Sequence, residues 1–314
     1  MMKKIFLAVS LGLILFFVGE GKPAKDVGFP RTIDAGKGRT LTLTKPPQRI
    51  VSVLLATDEI LSDLVDPSRI QAVTYLAADD SISNVSAWAQ EILHKIQVDI
   101  EQILACEPDL VFVAQFTRAE VVKLLLDADL LIVQIEFYNS IDDVKKNIER
   151  IAQAVGAETQ AQEVILQMNE KLEEIEAKIK NIKTRPTVMS YSASGFTSGK
   201  DTTIHELIVR AGGRNVAAEH GIMGSQKVSV EKLIEWNPDV ILLSSYSPGK
   251  EGFVHELRAD PALQTVRAIK NNHIYVIPGK YLTTISQFVV RGVEEVARVL
   301  HPELFFEQRR YDRH

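Results

Sequence analysis

Two glycines, a lysine, an acid and two threonines stand together in 195-GFTSGKDTT-203, directly after the apolar run TVMSY. Such a stretch could cradle a phosphate. A phosphate loop needs four residues between its glycines and a Ser or Thr after the lysine, so that amides and a hydroxyl surround the anion. Here three residues separate Gly195 from Gly199, and Lys200 is followed by Asp201, which repels phosphate. No G-x-G-x-x-G occurs either, so the pattern argues against nucleotide binding. The bland alternative is a glycine-containing turn between strand and helix, capped near Asp201 or Thr202. It would still lie beyond the carboxyl end of a strand, where α/β folds hold ligands.

Other chemistry leaves little trace. The seven histidines, among them His94, His205, His220 and His255, show no H-x-x-H or H-E-x-x-H spacing, so no metal site is read. No G-x-S-x-G elbow is present, and the many carboxylates select no acid–base pair. No catalytic residue and no cofactor is therefore assigned. The single cysteine, Cys106, forms no internal disulfide and reads as a small apolar residue on a helix.

The elements that would position a site come next. The chain has 314 residues, 46% hydrophobic and 25% charged, enough for two domains of moderate size. A net charge of −5 gives no basic footprint for nucleic acid. Lys3 and Lys4 precede the uncharged run Ile5–Val18, and Gly19 and Gly21 follow it. This is the pattern of a secretory signal over residues 1–21, with an uncleaved anchor as the competing reading. Its removal takes two lysines and Glu20 and leaves a charge of −6. No cysteine follows the run, so a soluble exported product is expected, not a lipid-anchored one.

After a polar lead-in, 22–45, strands and helices alternate: 49–55, a helix from Thr57 or Asp58 to Val65, 70–75, a helix at 99–106, 110–116, a helix at 119–128, and 130–137. Continuous apolar strands between helices predict a mainly parallel sheet covered on both faces. This is a first lobe, 46–139. Ser140, with Asp143 as a capping-box partner, starts one helix that Gly156 breaks. A second runs from Thr159 to about Lys183, and its apolar residues Val164, Ile165, Met168, Leu172, Ile175, Ile179 and Ile182 form one stripe. This second helix, about 37 Å long, reads as a stiff connector packed across two lobes, with a coiled-coil seam as the alternative, and the connecting helices together span 140–183. Alternation resumes over 184–304, with a helix expected from Leu257 to Ile269, and residues 305–314 form a tail. The predicted fold is α/β: two similar lobes, each with a mainly parallel sheet, joined by a long helix.

A repeat supports the two lobes. Residues 98-VDIEQILACEPDLVFV-113 match 228-VSVEKLIEWNPDVILL-243 at a constant offset of 130. It places Glu101 and Glu231 at equivalent points, each just after a cap, Asp99 or Ser229. As first-turn acids they complement the helix macrodipole, worth about 0.3–1 kcal/mol. They could equally be paired anchor points, one per lobe, for a two-fold partner. Aromatic residues are only 7% of the chain, yet they recur at strand ends. Tyr75, Phe116 and Tyr138 do so in the first lobe, and Tyr191, Phe196, Tyr246 and Tyr281 in the second, with Trp88 before the repeat and the cations Arg118 and Lys200 beside them. Two aromatic rims facing each other would make a cleft for a large, partly apolar ligand.

The motifs 46-PPQRIVSV-53, 99-DIEQILACEPDLVFVA-114 and 195-GFTSGKDTTIHELIVRAGGRNVA-217, with the single long helix between lobes, resemble a family. It is the periplasmic substrate-binding proteins of ABC importers for ferric siderophores, haem or cobalamin. The resemblance implies a monomeric periplasmic protein, without catalysis, that holds its ligand between the lobes and closes only slightly. It also implies that Glu101 and Glu231 pair with arginines of a dimeric ABC permease that works with its ATPase. Haem-binding relatives place a tyrosine where this chain has roughly His94 and Lys95, and cobalamin-binding ones a tryptophan that Trp88 matches only nearby. Few cations at the rim lean against trianionic catecholates. A hydroxamate-type or other iron chelate therefore ranks first, a corrinoid next and haem third. The competing classes are an exported two-lobed hydrolase or chelatase, which needs a nucleophile–base pair, and a sensory binding module without transport.

Overall fold

The structure, a computed structural model, describes residues 28–136, 139–246 and 250–305. The expected leader, Tyr138 and all of the tail beyond Phe305 lie outside the described residues. The chain begins with a hairpin of β1 (Arg31–Gly36) and β2 (Arg39–Leu43). The first lobe follows as β3 (Ile50–Ser52), α1 (Leu55–Leu64), β4 (Ile70–Thr74), α2 (Ser86–Ala89), β5 (His94–Ile96), α3 (Ile100–Ala105), β6 (Leu110–Ala114), α4 (Ala119–Asp127) and β7 (Ile132–Ile135). Two helices, α5 (Ile141–Val155) and α6 (Glu158–Ile179), lead to the second lobe. That lobe comprises β8 (Thr187–Ser190), β9 (Phe196–Ser198), α7 (Thr203–Arg210), β10 (Arg214–Asn215), α8 (Val216–Glu219), β11 (Ser225–Lys227), α9 (Val230–Trp236), β12 (Val240–Ser244), α10 (Lys250–Ala259), α11 (Arg267–Lys270), β13 (Ile274–Ile277), α12 (Gly279–Leu282) and α13 (Val289–Leu300).

Each lobe is built on a parallel sheet. The first has the order β5-β4-β3-β6-β7 and the second β10-β8-β12-β13. In both, the chain enters at an inner strand, winds to one side, then returns to the other, so the strand order reverses beside β3 and β8. Ligands of open α/β sheets bind beyond the strand ends at such a reversal. One apolar cluster runs through the whole molecule, from Ile50 and Phe112 through Met168, Leu172, Ile175 and Ile179 of α6 to Val188, Leu242 and Val293. The stripe on α6 is thus buried against both lobes and not in a coiled-coil seam. Separate clusters cover the other face of each sheet, around Val111 and Leu125 in the first lobe and Ile241 and Trp236 in the second. Burial on both faces is why these strands carry no polar alternation.

The 130-residue offset holds in three dimensions. α3 begins after Asp99, whose carboxylate accepts the Gln102 amide, whereas Ser229 before α9 makes no capping hydrogen bond and bonds to the Glu231 carboxylate instead; both helices lead into a left-handed residue, Glu107 at φ 46° and Asn237 at φ 44°. Asp109 accepts backbone hydrogens from Gln48 and Arg49, and Asp239 accepts those of Thr187, so each Pro-Asp turn pins the neighbouring central strand. An arginine then donates to the carbonyl of each left-handed residue, Arg49 to Glu107 and Arg267 to Asn237. A carbonyl so held is satisfied away from any helix ladder.

Several elements differ from expectation for local reasons. α1 starts at Leu55 with no side-chain cap on Leu54, and Thr57, Asp58 and Glu59 are buried instead of capping. Pro261 divides the helix expected at 257–269 into α10 and the short α11. α6 stops at Ile179 because the chain turns there, with the Ile182 amide donating to the Ile179 carbonyl. β9 and β11 form an antiparallel pair that alternation alone did not suggest.

Candidate functional site

The glycine loop is explained by packing. A Cβ on Gly199 would lie 2.0 Å from the Ile222 carbonyl oxygen, so only glycine lets this segment approach residues 222–224. Lys200 forms a backbone bridge there with Met223. Thr202, not Asp201, caps α7: its hydroxyl accepts from the His205 amide at 3.1 Å and donates to the Gly199 carbonyl at 2.8 Å. The amides of Gly195, Phe196, Ser198, Gly199 and Lys200 are spent on the chain itself.

Each lobe presents two exposed aromatic rings among the described residues. Tyr75 and Phe116 are 52% and 71% exposed, and across from them in sequence Phe196 and Tyr246 are 45% and 47% exposed. Phe116 and Tyr246 are separated by 130 residues, each two positions past its central strand. The repeat thus carries an exposed aromatic ring at the same point of both lobes. Tyr246 sits against Gly279, where an added Cβ would come within 2.6 Å of the Tyr246 Cβ. Arg118 is exposed at the start of α4, and Lys200 is exposed on its loop. Tyr281, on α12, is half-buried with the Lys280 ammonium 5.9 Å from its ring centre. Trp88, on α2, leans on the shared core, and its buried Nε1 has no hydrogen-bond partner. Tyr191 is buried beside Phe253 at 5.9 Å. His94 is exposed on the edge strand β5, while Lys95 donates to the Ile92 carbonyl. Glu101 and Glu231 are both exposed in the first turns of α3 and α9. Ser229 bonds to Glu231 and holds its carboxyl below the usual range.

The floor between the lobes is polar and was not foreseen. Glu59 of α1 is buried, and one of its oxygens accepts from the hydroxyls of Thr284 and Ser286 in the second lobe. The other accepts from the backbone and side-chain nitrogens of Asn84 at 2.9 Å. Gln287 donates to the Glu59 carbonyl at 2.6 Å and to Asp63 at 2.8 Å. Asn84 also donates to the Lys280 carbonyl, and Lys280 pairs with Asp80 at 3.2 Å. A second link joins the lobes through the connector, where Glu206 of α7 accepts the Ile141 amide at the start of α5. Beside Glu59 lies a small cavity of about 150 Å³ lined by Leu54, Leu55, Ile82, Thr283 and Ile285. The lobes are therefore clasped where α1 and Asn84 meet residues 280–287.

Asp58, next to Glu59, is wholly buried, which pushes its carboxyl well above the usual range; the Thr74 amide and Ser52 offset this only in part, and Glu59 adds to it. A carboxyl raised in the folded state binds protons more tightly there than in the unfolded chain. Its stabilising contribution is full below the ordinary carboxylate range and is lost as pH rises through the native value. Between pH 4 and pH 8, wild-type stability should thus fall relative to that of Asp58→Asn. Urea unfolding across that range measures it, and parallel pH profiles would refute the assignment.

These features have counterparts in known proteins. A profile for periplasmic binding proteins matches residues 50–281. The chain belongs to that family. As a periplasmic binding protein it is a substrate-binding component of transport and not an enzyme. It is 27% identical over 320 residues to an uncharacterized ABC transporter substrate-binding lipoprotein, YvrC, of Bacillus subtilis, covering 96% of this chain and 98% of that one. It is 22% identical to a cobalamin-binding protein of Halobacterium salinarum, covering 87% and 74%. Among solved structures, the molybdate-bound MolA of Haemophilus influenzae is similar at a TM-score of 0.73 and 22% identity, covering 88% and 93%. The apo heme-binding protein RhuT of Roseiflexus matches at 0.71 and 21%, covering 82% and 99%. These structures share the two-lobed α/β fold. No helix among the described residues is long and apolar enough to cross a membrane.

Proposed function

We propose that this periplasmic binding protein is the soluble solute-binding component of an ABC importer that captures an iron chelate of the hydroxamate type or, as second choice, a corrinoid. The ligand is gripped between the lobes and passed to a dimeric permease with its ATPase. The observation that carries this reading is the repeat-related pair of exposed rings, Phe116 and Tyr246, at the strand ends of both lobes. Tyr75 and Phe196 widen the same apolar rims. A bulky ligand with an apolar shell gains most from such rings. The ferric-anguibactin-binding protein FatB of Vibrio anguillarum, 25% identical over 86% of this chain, lends support to an iron chelate. Arg118 and Lys200 are the cations singled out for this rim, which suits a chelate of low charge. Titrating the mature chain with ferric hydroxamates, cobalamin and hemin tests the reading through tryptophan fluorescence. Submicromolar, 1:1 quenching by a chelate or a corrinoid is expected; flat curves for all three would remove the assignment.

Glu101 and Glu231 are the residues proposed to dock on the permease. Both are exposed, repeat-related and free of any ion pair among the described residues. Changing both to Ala should leave ligand affinity within about twofold, because neither carboxylate belongs to the aromatic rims. Ligand-stimulated ATP hydrolysis by the reconstituted permease should fall by tenfold or more, as expected for about 1.4 kcal/mol or more of lost docking energy. Stimulation that survives the double change would leave these residues as helix-start acids alone.

A further inference from the structure

A second cavity, of about 400 Å³, is built entirely from the second lobe, on the side of its sheet covered by α9 and α10. Its inner wall is apolar and aromatic: Tyr191 and Phe253, with ring centres 5.9 Å apart, and Leu257 and Leu263 behind them. Tyr191 is 6% exposed, yet its hydroxyl makes no hydrogen bond among the described residues. The ring is buried but the hydroxyl oxygen is reached by solvent, so it opens on the cavity. Burial and the nearby Glu231 carboxylate push this phenol up, so it stays a neutral hydroxyl with lone pairs to offer. Two carboxylates, Glu256 and Asp260, stand at the wall, and neither is in an ion pair among the described residues. Among the described residues Lys227 is the cation that lines the cavity; its stem runs along Gly195, whose Cβ would lie 3.4 Å from the Lys227 Cε. Glu231 adds a third carboxylate close to Tyr191, so acids outnumber the cation among the described groups at this wall.

Aromatic faces and carboxylates together attract a cation with an apolar stem: the rings take the charge over their faces, and a phenol oxygen accepts an N–H. The geometry points to a second ligand site in this cavity, bounded by Tyr191, Phe253, Glu256 and Asp260, for an organic cation of the alkylammonium or alkylguanidinium class. Every lining residue belongs to the second lobe, and the site does not depend on the identity of the solute bound between the lobes. The same chemistry can come from a free small solute or from a lysine or arginine side chain offered by another protein.

The test titrates the mature chain, carrying methyl-labelled leucine, with butylammonium and butylguanidinium chloride while following the Leu257 and Leu263 methyl resonances. 1-Butanol is the uncharged control. Saturable shifts at those methyls with about millimolar affinity are expected for the cations, and at least about fivefold weaker binding for butanol. Glu256→Gln with Asp260→Asn should weaken the cations by about tenfold and leave butanol unchanged. Tyr191→Phe keeps the ring and removes the acceptor, so a loss of about threefold is expected. An acetylated Gly-Arg-Gly amide identifies the source. Binding as tight as that of butylguanidinium indicates a side chain presented by a protein, and exclusion of the peptide indicates a free solute. Butanol binding as tightly as the cations, cations that shift neither methyl, or a carboxylate double variant that binds unchanged would each overturn the proposal.

Discussion

Replacing Glu59 by Ala should destabilise the protein by about 3 kcal/mol and lower its melting temperature by about 5 °C. The carboxylate accepts from Thr284, Ser286 and both nitrogens of Asn84, so all of its acceptor positions are used. Truncation leaves those donors buried without partners, and the penalty for an unmet donor exceeds the net value of one hydrogen bond. Burial pushes the Glu59 carboxyl up, and the hydrogen bonds from Ser286, Asn84 and Thr284 offset part of that. Glu59→Gln keeps the shape and one acceptor oxygen, and rotating hydroxyls can accept from its amide. It should cost less than half as much as the alanine change. Because the contacts join α1 to the loop 280–287, the alanine variant should also loosen one lobe against the other. Faster amide exchange at residues 282–287, beyond that of the core strands, would report it. Equal melting temperatures for the alanine variant and the wild type would show that the clasp contributes nothing.

The second large effect concerns the paired rings. Phe116→Ala combined with Tyr246→Ala should reduce ligand affinity by about 100-fold or more, as expected when two aromatic anchors of about 1.5–2 kcal/mol each are lost. Phe116 is largely exposed and Tyr246 about half exposed, so stability should stay within about 1 kcal/mol of wild type. Separating the two readouts matters, since a folding defect would also reduce binding. Each single variant should lose about tenfold, and near-additive losses are expected because the rings belong to different lobes. Affinity that is unchanged in the double variant would remove these rings from the site.

How much of this was legible beforehand follows from the range of the interactions. The lobes, the repeat and the connector depend on local periodicity and on the Pro-Asp turns at 108–109 and 238–239, which a sequence displays directly. The exposed rings at Tyr75, Phe116 and Tyr246 were legible because they follow apolar strands, whereas Phe196 opens β9 itself. The clasp was not, because Glu59 meets Thr284 across 225 positions and nothing in the ATDEILS run distinguishes a buried acid from a helix cap. A faint signal existed: Glu59 shares a helix face with Leu55 and Ala56, which an exposed acid would not favour. Tyr191 reads like the other strand-end aromatics, yet the chain after it turns through Gly195 into β9, and Phe253 of α10 covers its ring. Only the packing of α10, distant in sequence, turns that residue from the rim to a cavity of its own.

The most direct test is a crystal structure of the mature chain with whichever chelate or corrinoid quenches its fluorescence. The account predicts one ligand molecule above the 280–287 loop, with Phe116 on one side and Tyr246 on the other, and little change in the angle between the lobes. A ligand seated on a single lobe, or one that leaves both rings in solvent, would contradict it.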